Sequence, residues 1–164
     1  MKKNSIKLRN PNINDGSIIW ELIRDCKPLD LNSSYLYLLL CQHFSETCFV
    51  AERDSQLVGF VSAYKLPKLA NVIFIWQIAV HESMRGQGLA KLLLRRLLQQ
   101  SCCQDIKYIE TTVLPSNEAA KNLFYSFARE FNIACKENPF FAKEFFPREE
   151  GHEEEILFQL GPLR

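Results

Sequence analysis

Apolar and polar residues follow one another along this chain in short segments whose period switches between that of a strand and that of a helix. "SIKLR" predicts a first strand. After Asp15, which can cap a helix, Ile18, Ile19, Leu22, Ile23 and Cys26 recur at helical spacing, and Pro28 stops the run. "LDLNSSYLYLLLCQHFSE" predicts a second helix capped by Asn32 or Ser33. "TCFVAER" and "QLVGFVSAYKL" predict two strands of a hairpin turning at Asp54 and Ser55. "NVIFIWQIAVH" is apolar on both faces, as a central strand is, and Leu89 to Leu98 continue as a helix with Lys91, Arg95 and Arg96 on its wet side. "YIETTVL" predicts a further strand. Pro115, Ser116 and Asn117 then open a helix whose apolar stripe is Ala120, Leu123, Phe124, Phe127, Ala128 and Phe131. "NPFFAKEFFPREEGHEEE" reads as irregular and aromatic, and "EILFQL" as a last strand. No repeat or linker interrupts the series, which predicts an α/β architecture around a mixed sheet.

At 164 residues, 47% hydrophobic and 24% charged, the chain has room for one domain with a substantial core, so residues 1–164 are expected to form a single domain. A net charge of +1 offers no footprint for nucleic acid or an anionic membrane, and neither is expected as a partner. No apolar run is long enough to span a bilayer and no leader pattern opens the chain, so the expected location is cytoplasmic. Six cysteines occur without a C-x-x-C pair and are expected as reduced, mostly packed thiols. His43, His81 and His152 stand apart without a metal-binding frame, so no metal is expected.

The chemistry starts at "RGQGLA", where a strand feeds a glycine-containing turn that opens a helix. Such a turn aims backbone N–H groups and the positive end of a helix dipole at one point, which suits phosphate. The spacing fits neither G-x-G-x-x-G with a later acidic residue nor G-x-x-x-x-G-K-[ST].

R-x-x-G-x-A, from Arg85 through Gly86, Gln87, Gly88 and Leu89 to Ala90, resembles the acetyl-CoA pyrophosphate loop of the GNAT superfamily of N-acetyltransferases. The resemblance implies a mixed, mostly antiparallel sheet with helices on both faces, and acetyl-CoA as cosubstrate. It also implies that backbone at Ile78 and Val80 holds the pantetheine arm as a substitute strand. "LPSNEAAKNLFYSFAR" resembles the superfamily's Asn-x-x-Ala-x-x-Leu-Tyr stretch, which puts Asn117 on the CoA arm and Phe124 at the position where many members carry a tyrosine that protonates the departing thiolate. Phenylalanine donates no proton, so Tyr35, water or an unassisted thiolate must take its place.

Beyond the loop, "DGSIIWEL", "LDLNSSYLYLLLCQHFSET", "FIWQIAV", "IETTVLPSN" and "HEEEILF" are similar to the diaminobutyrate acetyltransferases of ectoine synthesis. Those enzymes acetylate the γ-amine of L-2,4-diaminobutyrate, and the likeness implies osmoadaptation and a homodimer. A diamino acid needs carboxylates for an ammonium, donors for its acid group, and a slot. Asp30, Ser33 and Tyr35 are implied contacts, with a turn as the structural alternative for Asp30 and a cap for Ser33, and Tyr37 reads as core. Trp76 either walls the slot or packs the core. Glu110, a carboxylate in a central strand, needs a partner and suits the substrate's α-ammonium. His152 and Glu155 match positions that close over the acceptor, whereas Glu153 and Glu154 read as solvated. Tyr35, His152 and Glu110 are thus the expected catalytic groups. Two rival readings stay open here: acetylation of another small amine or a protein N-terminus, and non-catalytic acyl-CoA binding.

Overall fold

The computed structural model describes residues 5–164. Seven strands form one mixed sheet in the order β1-β2-β3-β4-β5-β7-β6, in which β1/β2, β2/β3, β5/β7 and β6/β7 pair antiparallel and β4/β5 pair parallel. The chain groups into two compact units, one holding the residues up to Tyr64 with Trp76–Gln104, the other Lys65–Ile75 with Asp105–Arg164.

In the first unit, β1 (Lys7–Arg9), β2 (Cys48–Arg53) and β3 (Gln56–Leu66) form a meander. The hairpin between β2 and β3 has a two-residue loop, with Arg53 opposite Gln56. Asp54 and Ser55 both adopt positive φ, 52° and 63°, the pairing whose twist matches that of the flanking strands. Helices α1 (Gly16–Arg24) and α2 (Ser34–His43) bring Ile19, Leu22, Ile23, Tyr37, Leu40 and Cys41 into one core with Val50, Phe60 and Ala79 of the strands. Ile18, expected on the apolar face of α1, is 45% exposed, since the face that packs runs through Ile19, Leu22 and Ile23. The second half of β4 (Leu69–Val80) and helix α3 (Leu89–Leu98), with Leu89, Leu93, Leu94 and Leu97 buried, complete the unit.

Asp15 does not cap α1. The chain enters through a 3-10 turn, Ile13–Asp15, whose N-cap is Asn12: its side chain accepts from Asn14 N, while Asp15 Oδ2 accepts from Asn12 N at 2.8 Å. The Asp15 carboxylate is buried and takes a two-pronged bond from Arg9, 2.7 and 2.9 Å, whose Nε reaches Glu52 at 3.1 Å. This arrangement ties the helix entry to β1 and β2.

In the second unit the first half of β4 pairs with β5 (Tyr108–Val113), from Val72 opposite Tyr108 to Ile75 opposite Thr111. β7 (Glu155–Gly161) pairs with β5, and β6 (Ala134–Phe141) lies outside β7 at the sheet edge. Helix α4 (Glu118–Phe131) packs on β6 and β7 through Phe124, Phe127 and Ala128. β6 corrects the reading of "NPFF" as irregular: Asn138, Pro139 and Phe141 pair with Leu157, Ile156 and Glu155. Pro139 is tolerated because the strand is an edge and the register shifts between Pro139 and Phe141.

Burial alone would raise the Asp15 carboxyl, but the Arg9 guanidinium and the Asn12 N–H hold it below the usual carboxylate range. A depressed value contributes stability above pH about 4 that is lost as the pH falls through it. Asp15→Asn is therefore expected to lower stability by about 2 kcal/mol at neutral pH, with the gap to the parent narrowing below pH about 4. Urea midpoints across pH 3 to 7 measure this, and a pH-independent gap would refute an ionic origin.

Candidate active site

The end of β4 leads into a 3-10 turn, Glu82–Met84, and then into the Arg85–Ala90 loop. Gly86 and Gly88 have φ of 72° and 79°, a region costly for any residue with a side chain. A Cβ at either would meet nothing within 4 Å, so the backbone there lies open. The first hydrogen bond of α3 runs from Leu92 N to Gly88 O at 3.0 Å, and Gly88 has no side chain to cap the amides of the first turn. The loop is braced from behind. His81 Nδ1 accepts from Ser83 N, Gln87 Nε2 donates to Ser83 O, and Arg85 Nε donates to Val80 O at 3.2 Å. Val80 O also accepts from Cys26 Sγ, so of the Val80 backbone the carbonyl is engaged within the chain. The result is a strand end, a cation and open helix-start amides in one turn, a cradle for a pyrophosphate. Leu89 contributes backbone only, since its side chain is buried.

The same unit carries the expected acceptor segment. Ser33 is the N-cap position of α2 yet makes no side-chain cap bond, and Asp30 precedes it in a stretch without regular structure. Tyr35 is 66% exposed in the first turn of α2, and Trp76 is 42% exposed on β4. Tyr37, in contrast, is fully buried, in keeping with the core reading. Ile78 is half-buried on β4. Gln77, beside Trp76, turns inward and bonds to Tyr37 and to the carbonyl of Asp30.

In the second unit Glu110 is buried at the middle of β5, where its Oε1 accepts from Gln159 Nε2 at 2.9 Å. Gln159 is its cross-strand neighbour on β7. Among the described residues no cation pairs with Glu110, leaving a buried carboxylate with a neutral amide beside it. Asn117 caps α4, Oδ1 accepting from Ala120 N at 3.1 Å, and the cap leaves its Nδ2 unused. Phe124 is buried, and Tyr125, one position on, packs on Phe158.

The His152 ring stacks on Phe146, with centroids 3.8 Å apart and planes within 8°. Its Nδ1 lies 2.5 Å from Glu153 O, and a carbonyl can only accept, so Nδ1 carries the proton. In its neutral form the ring then carries its lone pair on Nε2, which lies 3.8 Å from Glu155 Oε1. Glu153 is exposed, as expected, and also accepts a short hydrogen bond from Ser116 Oγ, joining its segment to the residues before α4.

Three features lay beyond sequence reasoning: the amide of Gln77, the pairing of Gln159 with Glu110, and the Phe146 stack. Gln77 left a trace, as the one polar side chain between Val72 and Val80, but the other two depend on register and loop path. Two of the buried thiols, Cys41 and Cys48, are poor nucleophiles. Burial, with the charge of Asp15, pushes Cys41 up to about 11, and burial pushes Cys48 up to about 12, so both stay protonated at neutral pH.

The acetyltransferase (GNAT) family model matches residues 17–128. The L-2,4-diaminobutyric acid acetyltransferase of Halalkalibacterium halodurans is 43% identical over 97% of this chain and 83% of its own length. That of Virgibacillus pantothenticus is 44% identical over 94% and 96%. Among solved structures, the diaminobutyrate acetyltransferase of Paenibacillus lautus, in complex with its substrate L-2,4-diaminobutyric acid and coenzyme A, superposes with a TM-score of 0.93 at 43% identity, covering 97% of this chain and 96% of that one. The ribosomal-protein-S18-alanine N-acetyltransferase of Escherichia coli shares the fold, with a TM-score of 0.73 at 16% identity over 98% of this chain and 96% of its own. On the agreement between an uncapped R-x-x-G-x-A helix start and near-full-length kinship, the chain belongs to the acetyltransferase (GNAT) family and, within it, to the L-2,4-diaminobutyric acid acetyltransferases.

Proposed function

We propose that this chain transfers the acetyl group of acetyl-CoA to the γ-amine of L-2,4-diaminobutyrate, yielding N-γ-acetyl-diaminobutyrate for ectoine synthesis. The observation that carries the reading is the open, uncapped start of α3 beneath Gly86 and Gly88, a main-chain anion site in a chain whose relative binds coenzyme A and diaminobutyrate. The cellular setting that goes with it is a homodimeric, single-domain enzyme acting in the cytoplasm during osmoadaptation.

In this reading the amides of Gly88, Leu89 and Ala90, with Arg85, hold the diphosphate. Backbone at Ile78 and Val80, Asn117 Nδ2 and the apolar Phe124 position accompany the pantetheine arm. Asp30, Ser33 and Tyr35 bind the amino acid, and Trp76 walls its slot. Glu110 holds the α-ammonium. A carboxylate beside the reacting amine would oppose its deprotonation, so it serves better at the amine that stays charged.

Freeing the γ-amine at neutral pH costs about 4 kcal/mol. His152 Nε2 accepts that proton, Glu155 steadies the resulting imidazolium, and Phe146 fixes the ring plane. The neutral nitrogen attacks the thioester carbonyl, with the Ile78 N–H as candidate donor to the oxyanion. The carbon–nitrogen bond forms, the carbon–sulfur bond breaks, and the CoA thiolate takes a proton from Tyr35 or water, which regains it from the attacking nitrogen as that nitrogen sheds its second proton and becomes the neutral amide.

A panel of amines with acetyl-CoA, followed through thiol release, tests the assignment. Diaminobutyrate is expected to exceed ornithine in kcat/KM by at least about tenfold, the value of one methylene, with the acetyl group on Nγ by NMR. Equal turnover of lysine, ornithine and a peptide N-terminus would refute it. Gly88→Ala and Gly88→Glu share the backbone strain of positive φ, but only the latter adds a negative charge. Gly88→Glu should therefore raise the acetyl-CoA KM at least about tenfold above Gly88→Ala, and equal values would remove the loop from the site. His152→Asn should lower kcat about a hundredfold with little change in either KM, and Asp30→Ala should raise the diaminobutyrate KM about tenfold. Steady-state kinetics separate the two, and a loss of acetyl-CoA affinity in either would argue for a structural role.

A further inference from the structure

Gln77 interrupts an otherwise apolar stretch of β4, is 6% exposed, and has a partner for each polar atom of its amide. Its Nε2 donates to Asp30 O at 2.7 Å, and its Oε1 accepts from Tyr37 OH at 3.1 Å. Its own backbone N–H donates to Ser62 Oγ at 3.2 Å, fixing the strand at that residue. The Tyr37 hydroxyl in turn accepts from Asn32 N at 3.4 Å. Two backbone groups of a segment without regular structure, Asp30 C=O and Asn32 N–H, thus end on two buried side chains.

We propose that Gln77, acting with Tyr37, is a positioning residue that sets the path of Asp30 to Tyr35 and so decides which length of diamine the enzyme prefers. The inference rests on the reading that Asp30 to Tyr35 contacts the acceptor. Neither Gln77 nor Tyr37 needs to touch substrate. Discriminating one methylene gives a factor of about ten to two hundred, and only while the walls of the slot stay still. A displacement of about 1 Å can cost about a hundredfold in rate. A loop held by its own exposed side chains would yield to a longer substrate, whereas one whose main chain is bonded to a buried amide and a buried phenol does not.

The test is steady-state kinetics on the whole chain for diaminobutyrate, ornithine and acetyl-CoA, with melting temperatures alongside. Gln77→Leu should raise the diaminobutyrate KM about tenfold, leave the acetyl-CoA KM within about twofold, and lower the preference for diaminobutyrate over ornithine in kcat/KM about tenfold. Tyr37→Phe keeps the bond from Gln77 to Asp30 and should lower the same preference about threefold. An unchanged preference, with acetyl-CoA and both amines weakened alike, would overturn the proposal. If Gln77→Leu does not fold, the preference measured on Tyr37→Phe decides in the same way. Asp30→Ala supplies the control: no effect on the diaminobutyrate KM removes the acceptor reading and this inference with it. A clear Asp30 effect beside an intact preference in the Gln77 and Tyr37 variants overturns the inference alone.

Discussion

A helix that starts on glycine exposes the amides of its first turn, and the biochemistry of this chain follows from how α3 meets that constraint. At α4 the same need is met internally, where Asn117 offers Oδ1 to Ala120 N. At α3 the residue in the cap position is Gly88, whose left-handed backbone suits the turn and whose missing side chain leaves the donors to an outside anion. The supports behind the loop, Arg85 on Val80 and Gln87 on Ser83, hold main chain to main chain through side chains. Such bracing keeps the donors aimed without placing bulk in front of them, which is the condition for binding a diphosphate without first rearranging.

Polar groups placed inside strands show the complementary constraint. Gln77 and Glu110 both sit where an apolar residue would pack more cheaply, and the structure treats them differently. Each polar atom of the Gln77 amide has a partner among its neighbours. Glu110 has one neutral donor, Gln159, and pairs with no cation among the described residues. A saturated buried amide stiffens what it holds, whereas an unanswered buried carboxylate attracts a cation. In the sequence the two look alike, as polar interruptions of apolar runs.

Local pattern carried much of the fold. Helix and strand periodicity located α1, α2, α3 and α4 and the strands from "SIKLR" to "EILFQL", because burial of one face imposes its period on any sequence that folds this way. Where a second element lends its hydrogen bonds, local pattern falls short. β6 forms over "NPFF" only because β7 pairs with it, and a proline that argues against a strand is accommodated at an edge beside a register shift. Asp15 has the composition of a cap but serves as the anchor for Arg9, a partner whose proximity depends on the β1/β2 meander. Glu153 stays exposed, as an acidic run predicts, but its hydrogen-bond partner, Ser116, lies 37 residues away, beyond the reach of a local pattern.

By itself the sequence determined the cofactor chemistry and the kinship, because a pyrophosphate loop is contiguous: its donors are backbone groups a few residues apart, and R-x-x-G-x-A states where side chains must be absent. The acceptor side is built from residues distant in the chain, and there only tertiary structure decided what each group does. It turned Gln77 inward and left Trp76 outward, put Gln159 against Glu110, stacked Phe146 on His152 and set the Nδ1 of that ring against the carbonyl of Glu153. The physical reason is that a hydrogen bond or a ring stack depends on distance in space, and strand register and loop path set that distance without leaving a period in the sequence.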